Sequence, residues 1–343
     1  MKLLDKEIQV FLGIPYAKPP VGTLRFMKPQ APQPWQGVYD ATYAKDSCVQ
    51  PPYPGLFDIP TEISEDCLYL NVWTSLASTR QGFPVLVWFH GGMHQVGSAY
   101  EARYNGSALA ALNDVVVVSC NFRLSVLGFL YLNHTLTPGN LALWDQRAAL
   151  QWVQRNIEEF GGDPDRVTVF GESSGAVQLH GHILSPHSRG LFHRVFLMSG
   201  SMSIYPCESA ASENIAGVNT ISEAVGCGSY ERATDPGELL DCLRDMSAQD
   251  VGTVKAVKFR VTCENEFIPC RPSLAMKEGW FGKYDAMANY SDKDREFSAD
   301  AMNMLASFAR SGKPSLPDGK EFPKFTPENR DFMWLEAGNY TIV

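Results

Sequence analysis

A short apolar strand runs directly into a glycine-flanked serine at residues 167–175 (VTVFGESSG). The motif Gly-x-Ser-x-Gly between a strand and a helix is typical of a nucleophile elbow, a sharp turn that presents a serine hydroxyl at the top of a sheet. Because the elbow needs a strand before it and a helix after it, the motif predicts an α/β fold around Ser173. We expect Ser173 to be a nucleophile.

The strands predicted around the elbow are continuous apolar runs, as strands buried on both faces require. They lie at 84–89 (PVLVWF), 115–122 (VVVVSCNF), 167–170 and 193–198. Their number and spacing predict a mostly parallel sheet with helices on both faces.

Three helices are predicted between and after these strands. Residues 144–160 place apolar side chains on one helical face and are followed by Gly161. A second helix begins near Ala176. Residues 291–312 form the third, with Ser291 and Asp294 as a capping box at its start.

A glycine-rich loop follows the predicted strand at 84–89 and reads His90-Gly91-Gly92-Met93. A loop in this position can aim backbone N–H groups at a developing oxyanion. We therefore expect Gly92 and Met93, together with the residue after the nucleophile, Ser174, to form the oxyanion hole. Glu172, beside the nucleophile, is expected to tune the site electrostatically.

The general base that Ser173 needs is missing from the expected place. In this type of site the chain order is serine, then Asp or Glu, then histidine. The chain has seven histidines, and residues 194–343 contain none. His180 and His182 follow on the helix after Ser173, roughly 10 Å or more along its axis. His94, in the glycine-rich loop, is the remaining candidate.

Composition excludes some classes of function. With 343 residues and 45% hydrophobic content, the chain can bury the core of one large domain, 1–343. The net charge of −9 argues against a nucleic acid or an anionic membrane as partner. No apolar run is long enough for a membrane span, and the charges within residues 1–7 are unlike a signal peptide.

Cysteines and glycosylation sequons nevertheless indicate a secretory origin. Eight cysteines include two pairs at the spacing of local disulfides, Cys48 with Cys67 and Cys227 with Cys242. Cys263 and Cys270 are either a further short disulfide or two separate thiols. Four Asn-x-Ser/Thr sequons are candidate glycosylation sites: Asn105, Asn133, Asn289 and Asn339.

Long stretches of the chain resemble the type-B carboxylesterase/lipase family, which includes carboxylesterases, cholinesterases and non-catalytic neuroligins. The matching stretches are 11–22 (FLGIPYAKPPVG), 64–73 (SEDCLYLNVW), 139–153 (GNLALWDQRAALQWV), 160–164 (FGGDP) and 169–176 (VFGESSGA). The resemblance implies an α/β-hydrolase fold and hydrolysis of a small-molecule ester through an acyl-serine. It implies disulfides Cys48–Cys67 and Cys227–Cys242 and ion pairs Arg25–Glu65 and Arg123–Asp145. We expect no cofactor and no metal.

Two departures from the family pattern matter. Met93 stands where the family usually has a third glycine, so one oxyanion donor is affected by a Cβ. In addition, residues 264–279 resemble the segment before the family's catalytic acid, whereas residues from 290 resemble the segment after its histidine. An internal deletion near Asp285–Ala286 accounts for the loss of both, and predicts an incomplete C-terminal half of the sheet.

The expected parent protein is therefore a secreted carboxylic-ester hydrolase, and this chain is expected to turn over little or nothing. Two alternatives stay open. One is a non-catalytic binding or adhesion protein of the neuroligin kind, and the other is a partial isoform without its own function, poorly soluble because of an exposed sheet edge. The oligomeric state and the ester preference are left open.

Overall fold

The computed structural model of the chain describes residues 2–3, 6–55, 57, 59–75, 82–202, 207, 209–232, 235–254, 257–272, 274, 285–288, 308–311, 333–336 and 339–342.

Strands occupy the chain before the first α-helix, from residue 2 to residue 89, and helices and strands are then interspersed up to residue 198. The strands are β1 (Lys2–Leu3), β2 (Lys6–Glu7), β3 (Gln9–Pro15), β4 (Ser47–Cys48), β5 (Ile63–Ser64), β6 (Tyr69–Thr74), β7 (Phe83–Phe89), β8 (Val116–Cys120), β9 (Tyr131–His134), β10 (Thr137–Pro138), β11 (Gly162–Glu172), β12 (Arg194–Met198), β13 (Asp285–Ala288), β14 (Met333–Glu336) and β15 (Asn339–Ile342). The helices are α1 (Ser107–Asn113), α2 (Ser125–Phe129), α3 (Leu141–Asn156), α4 (Ser174–Leu184), α5 (Ala210–Ala224), α6 (Pro236–Asp245) and α7 (Ala248–Gly252).

Seven of the strands form the central sheet in the order β13-β12-β11-β7-β8-β6-β3. The pairs from β13 to β8 are parallel, and β6 pairs antiparallel with both β8 and β3. The sheet is therefore mixed and mostly parallel. This confirms the predicted fold class.

Side chains of the sheet alternate between two separate cores. On β7, Val85, Val87 and Phe89 belong to the larger core, while Leu86 and Trp88 belong to the smaller one. Helices α3 and α4 pack in the larger core and α1 in the smaller. Helices thus cover both faces, which explains why β7 carries no polar residue.

Element boundaries differ from the predictions at several points. Helix α3 begins at Leu141 rather than at residue 144, after Asn140 in a left-handed conformation (φ 51°). The amide of Asn140 bonds both backbone groups of Thr262, donating to its carbonyl at 2.8 Å and accepting its N–H at 3.0 Å. This long-range contact sets the start of α3, and nothing in the local sequence predicts it. The α3 helix then tightens into a 3₁₀ turn, Ile157–Phe160.

The two ion pairs implied by the family resemblance are present. Arg25 and Glu65 form a bidentate pair with two 2.7 Å bonds. Arg123 and Asp145 do the same, and both side chains are almost fully buried.

Three disulfides link the described cysteines. Cys48–Cys67 and Cys227–Cys242 are the pairs implied by the resemblance, and the third joins Cys207 to Cys263. The proposed short disulfide between Cys263 and Cys270 is therefore wrong, and so is the alternative that Cys263 is a separate thiol. Cys120 and Cys270 are buried outside these bridges.

The C-terminal part is described only in pieces. Strand β13 spans the inferred deletion junction at 285–286 and pairs in parallel with β12, from Arg194↔Asp285 to Leu197↔Ala288. Most of the helix predicted at 291–312 lies outside the described residues. Residues 308–311 are helical, with Phe308 and Ala309 buried. Among the described helices, none is both long and apolar enough to cross a membrane.

Candidate active site

Ser173 sits at a strained turn between β11 and α4. Its backbone has φ 54° and ψ −122°, a region that costs a residue with a Cβ about 1–3 kcal/mol. The flanking glycines make this turn possible. A Cβ on Gly175 would lie 2.3 Å from the carbonyl oxygen of Phe89, and one on Gly171 would lie 2.8 Å from the same oxygen. The turn therefore has the geometry that the elbow motif predicts.

The glycine-rich loop packs directly against this turn. A Cβ on Gly91 would lie 3.2 Å from the Cβ of Ser173. Gly92 has φ 117°, and a Cβ there would lie 2.0 Å from the carbonyl oxygen of Val96. Only glycine fits at these two points.

Met93 adopts a left-handed conformation (φ 58°), as a glycine would, and His94 follows it at φ 63°. The side chain of Met93 points outward and is 42% exposed. The Cβ therefore imposes a local strain without changing the course of the loop. Among the described residues, the backbone N–H groups of Gly92 and Met93 donate to no other atom.

Ser174 begins α4, so its N–H belongs to the first turn and has no partner inside the helix. Its hydroxyl oxygen accepts the backbone N–H of His94 at 3.3 Å. This bond joins the glycine-rich loop to the elbow.

Two histidines belong to the loop itself. His90 stacks on Phe122 with ring centroids 4.3 Å apart, and its Nδ1 lies 2.8 Å from the carbonyl of Gly91. His94 packs edge-on against Phe129. Burial lowers the pKa of each to about 4, so both imidazoles are neutral and weakly basic at pH 7.

The two histidines of α4 form side-chain hydrogen bonds with residues other than Ser173. His180 Nδ1 lies 3.2 Å from the hydroxyl of Ser201. His182 Nδ1 contacts Ser188 at 2.8 Å, and its Nε2 contacts Gln146 at 3.0 Å. Burial lowers the pKa of His180 to about 4 and that of His182 to about 3.

The remaining three histidines form hydrogen bonds elsewhere: His134 with Leu136, His187 with Glu266 and His193 with Val167. All seven histidines are among the described residues, and none of them forms a hydrogen bond with Ser173. The structure thus brings the elbow and the loop together, and each histidine side chain lies outside hydrogen-bond contact with Ser173.

Glu172 lies on the other side of the loop, at the end of β11. A Cβ on Gly91 would lie 3.0 Å from Glu172 Oε2, so the carboxylate reaches the root of the glycine-rich loop. Its charge adds to burial in raising the pKa of Tyr104 to about 12. The electrostatic role expected for Glu172 beside the nucleophile stays a prediction.

The candidate glycosylation sites lie away from the elbow in sequence. Asn105 and Asn133 are exposed, and Asn339 begins β15. Asn289 lies outside the described residues.

Sequence reasoning missed Gly200, which lies under the nucleophile. A Cβ there would lie 2.1 Å from the carbonyl oxygen of Ser173 and 3.0 Å from the Cβ of Ala176. Its position just after the strand that follows the elbow was the available signal.

A mixed sheet that presents a strained serine between a parallel strand and a helix, with a glycine-rich loop against it, defines an α/β-hydrolase. The model of the carboxylesterase family matches residues 1–288. The chain belongs to the carboxylesterase family.

Two curated relatives illustrate the range of the family. Acetylcholinesterase of Gallus gallus is 47% identical over 251 residues, which is 70% of this chain and 32% of that protein. Pyrethroid hydrolase Ces2a of Mus musculus is 42% identical over 276 residues, 77% of this chain and 48% of that protein. The chain thus spans less than half the length of these relatives.

Proposed function

We propose that the chain carries the ester-binding part of a carboxylic-ester hydrolase site whose proton-transfer machinery is absent. Ser173 is the nucleophile, and the N–H groups of Gly92, Met93 and Ser174 hold the oxyanion. Family membership and the strained elbow packed on the glycine-rich loop support this assignment.

In the reaction, Ser173 Oγ bonds to the ester carbonyl carbon, and the carbonyl oxygen takes the negative charge. Donors fixed at the position of that charge stabilise it without reorganisation, which is typically worth 10²–10³-fold in rate per donor. The N–H groups of Gly92, Met93 and Ser174 donate to no backbone acceptor among the described residues, so they are available to an oxyanion.

The single observation that carries the proposed impairment is that none of the seven histidines, all of them among the described residues, forms a hydrogen bond with Ser173. When Ser173 attacks, its proton has to leave, and without an imidazole it passes only to water. Removing the histidine of such a triad lowers kcat by about 10⁶-fold in a well-studied serine hydrolase. We therefore propose that the chain binds esters and hydrolyses them very slowly.

A trifluoromethyl ketone tests the binding half of this proposal, because its carbonyl forms a reversible hemiketal with a serine hydroxyl. With trifluoroacetophenone, ¹⁹F NMR should detect a bound hemiketal in the wild-type chain and none in Ser173→Ala. Ser212→Ala, at an exposed serine of α5, is the matched control and should retain it. An adduct that persists in Ser173→Ala, or no adduct in the wild type, contradicts the proposal.

A further inference from the structure

Arg103 lies on two aromatic rings. It belongs to the 3₁₀ turn Ala102–Tyr104, shortly after the glycine-rich loop. Its guanidinium carbon lies 5.0 Å from the ring centroid of Phe57 and 5.1 Å from that of Tyr104. Both distances are within the roughly 6 Å over which a cation is attracted to an aromatic ring. Phe57 and Tyr104 therefore hold the guanidinium in a defined place.

The buried carboxylate of Glu101 also holds Arg103 in place. The two side chains form a salt bridge in which Glu101 is 4% exposed and Arg103 is 49% exposed. The second carboxylate oxygen of Glu101 accepts the N–H of Ser98 at 3.2 Å. Because the carboxylate is buried and engaged, the charge that this pair presents to solvent is positive.

Tyr104 links this guanidinium to the strand that leads into the glycine-rich loop. Its ring packs 5.0 Å from that of Trp88, which stands on β7 two residues before the glycine-rich loop. Burial raises the pKa of Tyr104, Arg103 opposes this and Glu172 adds to it, so both charges act on one ring. Arg103 also contributes, after burial, to the lowered pKa of His90. The charge of Arg103 thus acts on His90, the first residue of the glycine-rich loop, and on Tyr104, on which Glu172 beside the nucleophile also acts.

We propose that Arg103 is a specificity-determining residue that favours esters carrying a carboxylate or another anionic group and disfavours cationic esters. This inference rests on the proposed function, because it requires an ester in the cleft at Ser173. A guanidinium offers a planar fork of N–H donors that matches a carboxylate. A substrate ammonium group instead meets a like charge, on rings to which the chain's own cation is already bound.

A pair of non-hydrolysable amides tests this preference at equilibrium. The anionic probe is 4-acetamidobenzoate and the cationic probe is 4-(trimethylammonio)acetanilide, both counterparts of aryl acetates. At low salt the wild-type chain should bind the anion about tenfold more tightly than the cation, by isothermal titration.

The informative variant is the double change E101Q/R103Q, because R103Q alone leaves the carboxylate of Glu101 buried without its partner. We expect the ratio of the two dissociation constants to fall to about 1, a roughly tenfold loss of preference. Arg155→Gln, at an exposed arginine of α3, should keep the wild-type ratio. Circular dichroism melting shows that each variant is folded.

Equal affinities in the wild type, no binding of either probe, or an unchanged ratio in the double variant overturns the inference. The ¹⁹F adduct at Ser173, measured on the same samples, reports on the proposed function separately. An adduct without a charge preference overturns only the role of Arg103. A preference that depends on Arg103 without an adduct supports that role and contradicts the proposed nucleophile.

Discussion

The backbone N–H of Ser173 donates a 2.9 Å hydrogen bond to the carbonyl of Met198, the last residue of the neighbouring strand β12. The strained elbow is therefore held not only by its own glycines but also by the end of the next strand. Gly200, two residues further on, lets the chain pass under the carbonyl of Ser173.

Gly200→Ala should damage the elbow, because the new Cβ would meet the Ser173 carbonyl oxygen at 2.1 Å. We expect a loss of about 2–3 kcal/mol in the free energy of unfolding, measured in urea, together with loss of the ¹⁹F adduct. Gly190→Ala is the control, since nothing lies within 4 Å of a Cβ there and only its φ of 77° is strained. It should cost about 1 kcal/mol and keep the adduct. Equal effects of the two changes would count against this view of Gly200.

The disulfide Cys207–Cys263 should stabilise the chain by roughly 4 kcal/mol, because it closes a loop with a separation of 56 residues. It anchors one end of the segment 257–263. Asn214 holds the middle of that segment, since its amide bonds both the N–H and the carbonyl of Arg260 at 2.9 Å. The double change C207S/C263S should lower the urea midpoint accordingly. Peptide mapping without reduction checks the pairing, and a Cys263–Cys270 linkage would contradict it.

The buried pair Arg123–Asp145 should matter far more than an exposed pair. Asp145→Asn leaves a buried guanidinium without its counter-charge, which typically costs about 3–5 kcal/mol. The matched control is Glu264→Gln, which breaks the exposed pair Arg271–Glu264 and should cost less than about 1 kcal/mol. If the two variants lost similar amounts of unfolding free energy, burial of the Arg123–Asp145 pair would not account for its contribution to stability.

Stability should fall as the pH falls from about 6.5 toward 4, because four buried histidines resist protonation in the folded state. Burial lowers the pKa of His90, His94 and His180 to about 4 and that of His182 to about 3. The unfolded chain, whose histidines titrate near 6.5, therefore binds more protons in this window. Each group contributes up to about 1.4 kcal/mol per pH unit to the slope.

His182→Gln should reduce that slope by about one proton in urea unfolding between pH 5 and 6.5. His134→Gln, at an exposed turn, serves as the matched control. An unchanged slope in His182→Gln would contradict the view that His182 is neutral when buried.

The elbow and the glycine-rich loop could be predicted from sequence because their glycines stand where the backbone leaves no room for a Cβ, as at Gly92 and Gly175. The strands were predictable for a similar reason, since burial on both faces leaves a continuous apolar run. The start of α3 could not be predicted, because Asn140, the residue before it, is hydrogen-bonded to Thr262, which is far away in sequence.

The cysteine pairing and the position of Arg103 also depend on contacts between distant segments and could not be predicted. Spacing suggested Cys270 as a partner for Cys263, yet the fold brings Cys207 close to it across 56 residues. Likewise, Arg103 meets Phe57 because the segment between β4 and β5 passes beside the 3₁₀ turn at 102–104. Contacts between distant segments depend on the whole sheet and are not written in any single stretch of sequence.

Turnover of p-nitrophenyl acetate by the wild-type chain and by Ser173→Ala tests the central claim most directly. A site with its nucleophile and oxyanion donors but no base should exceed the Ser173→Ala rate by no more than about tenfold, since most of the triad's contribution is lost. Wild-type turnover at about 10 s⁻¹ or more, an ordinary enzyme rate, and abolished in Ser173→Ala, would show that a base reaches Ser173 and would contradict the claim.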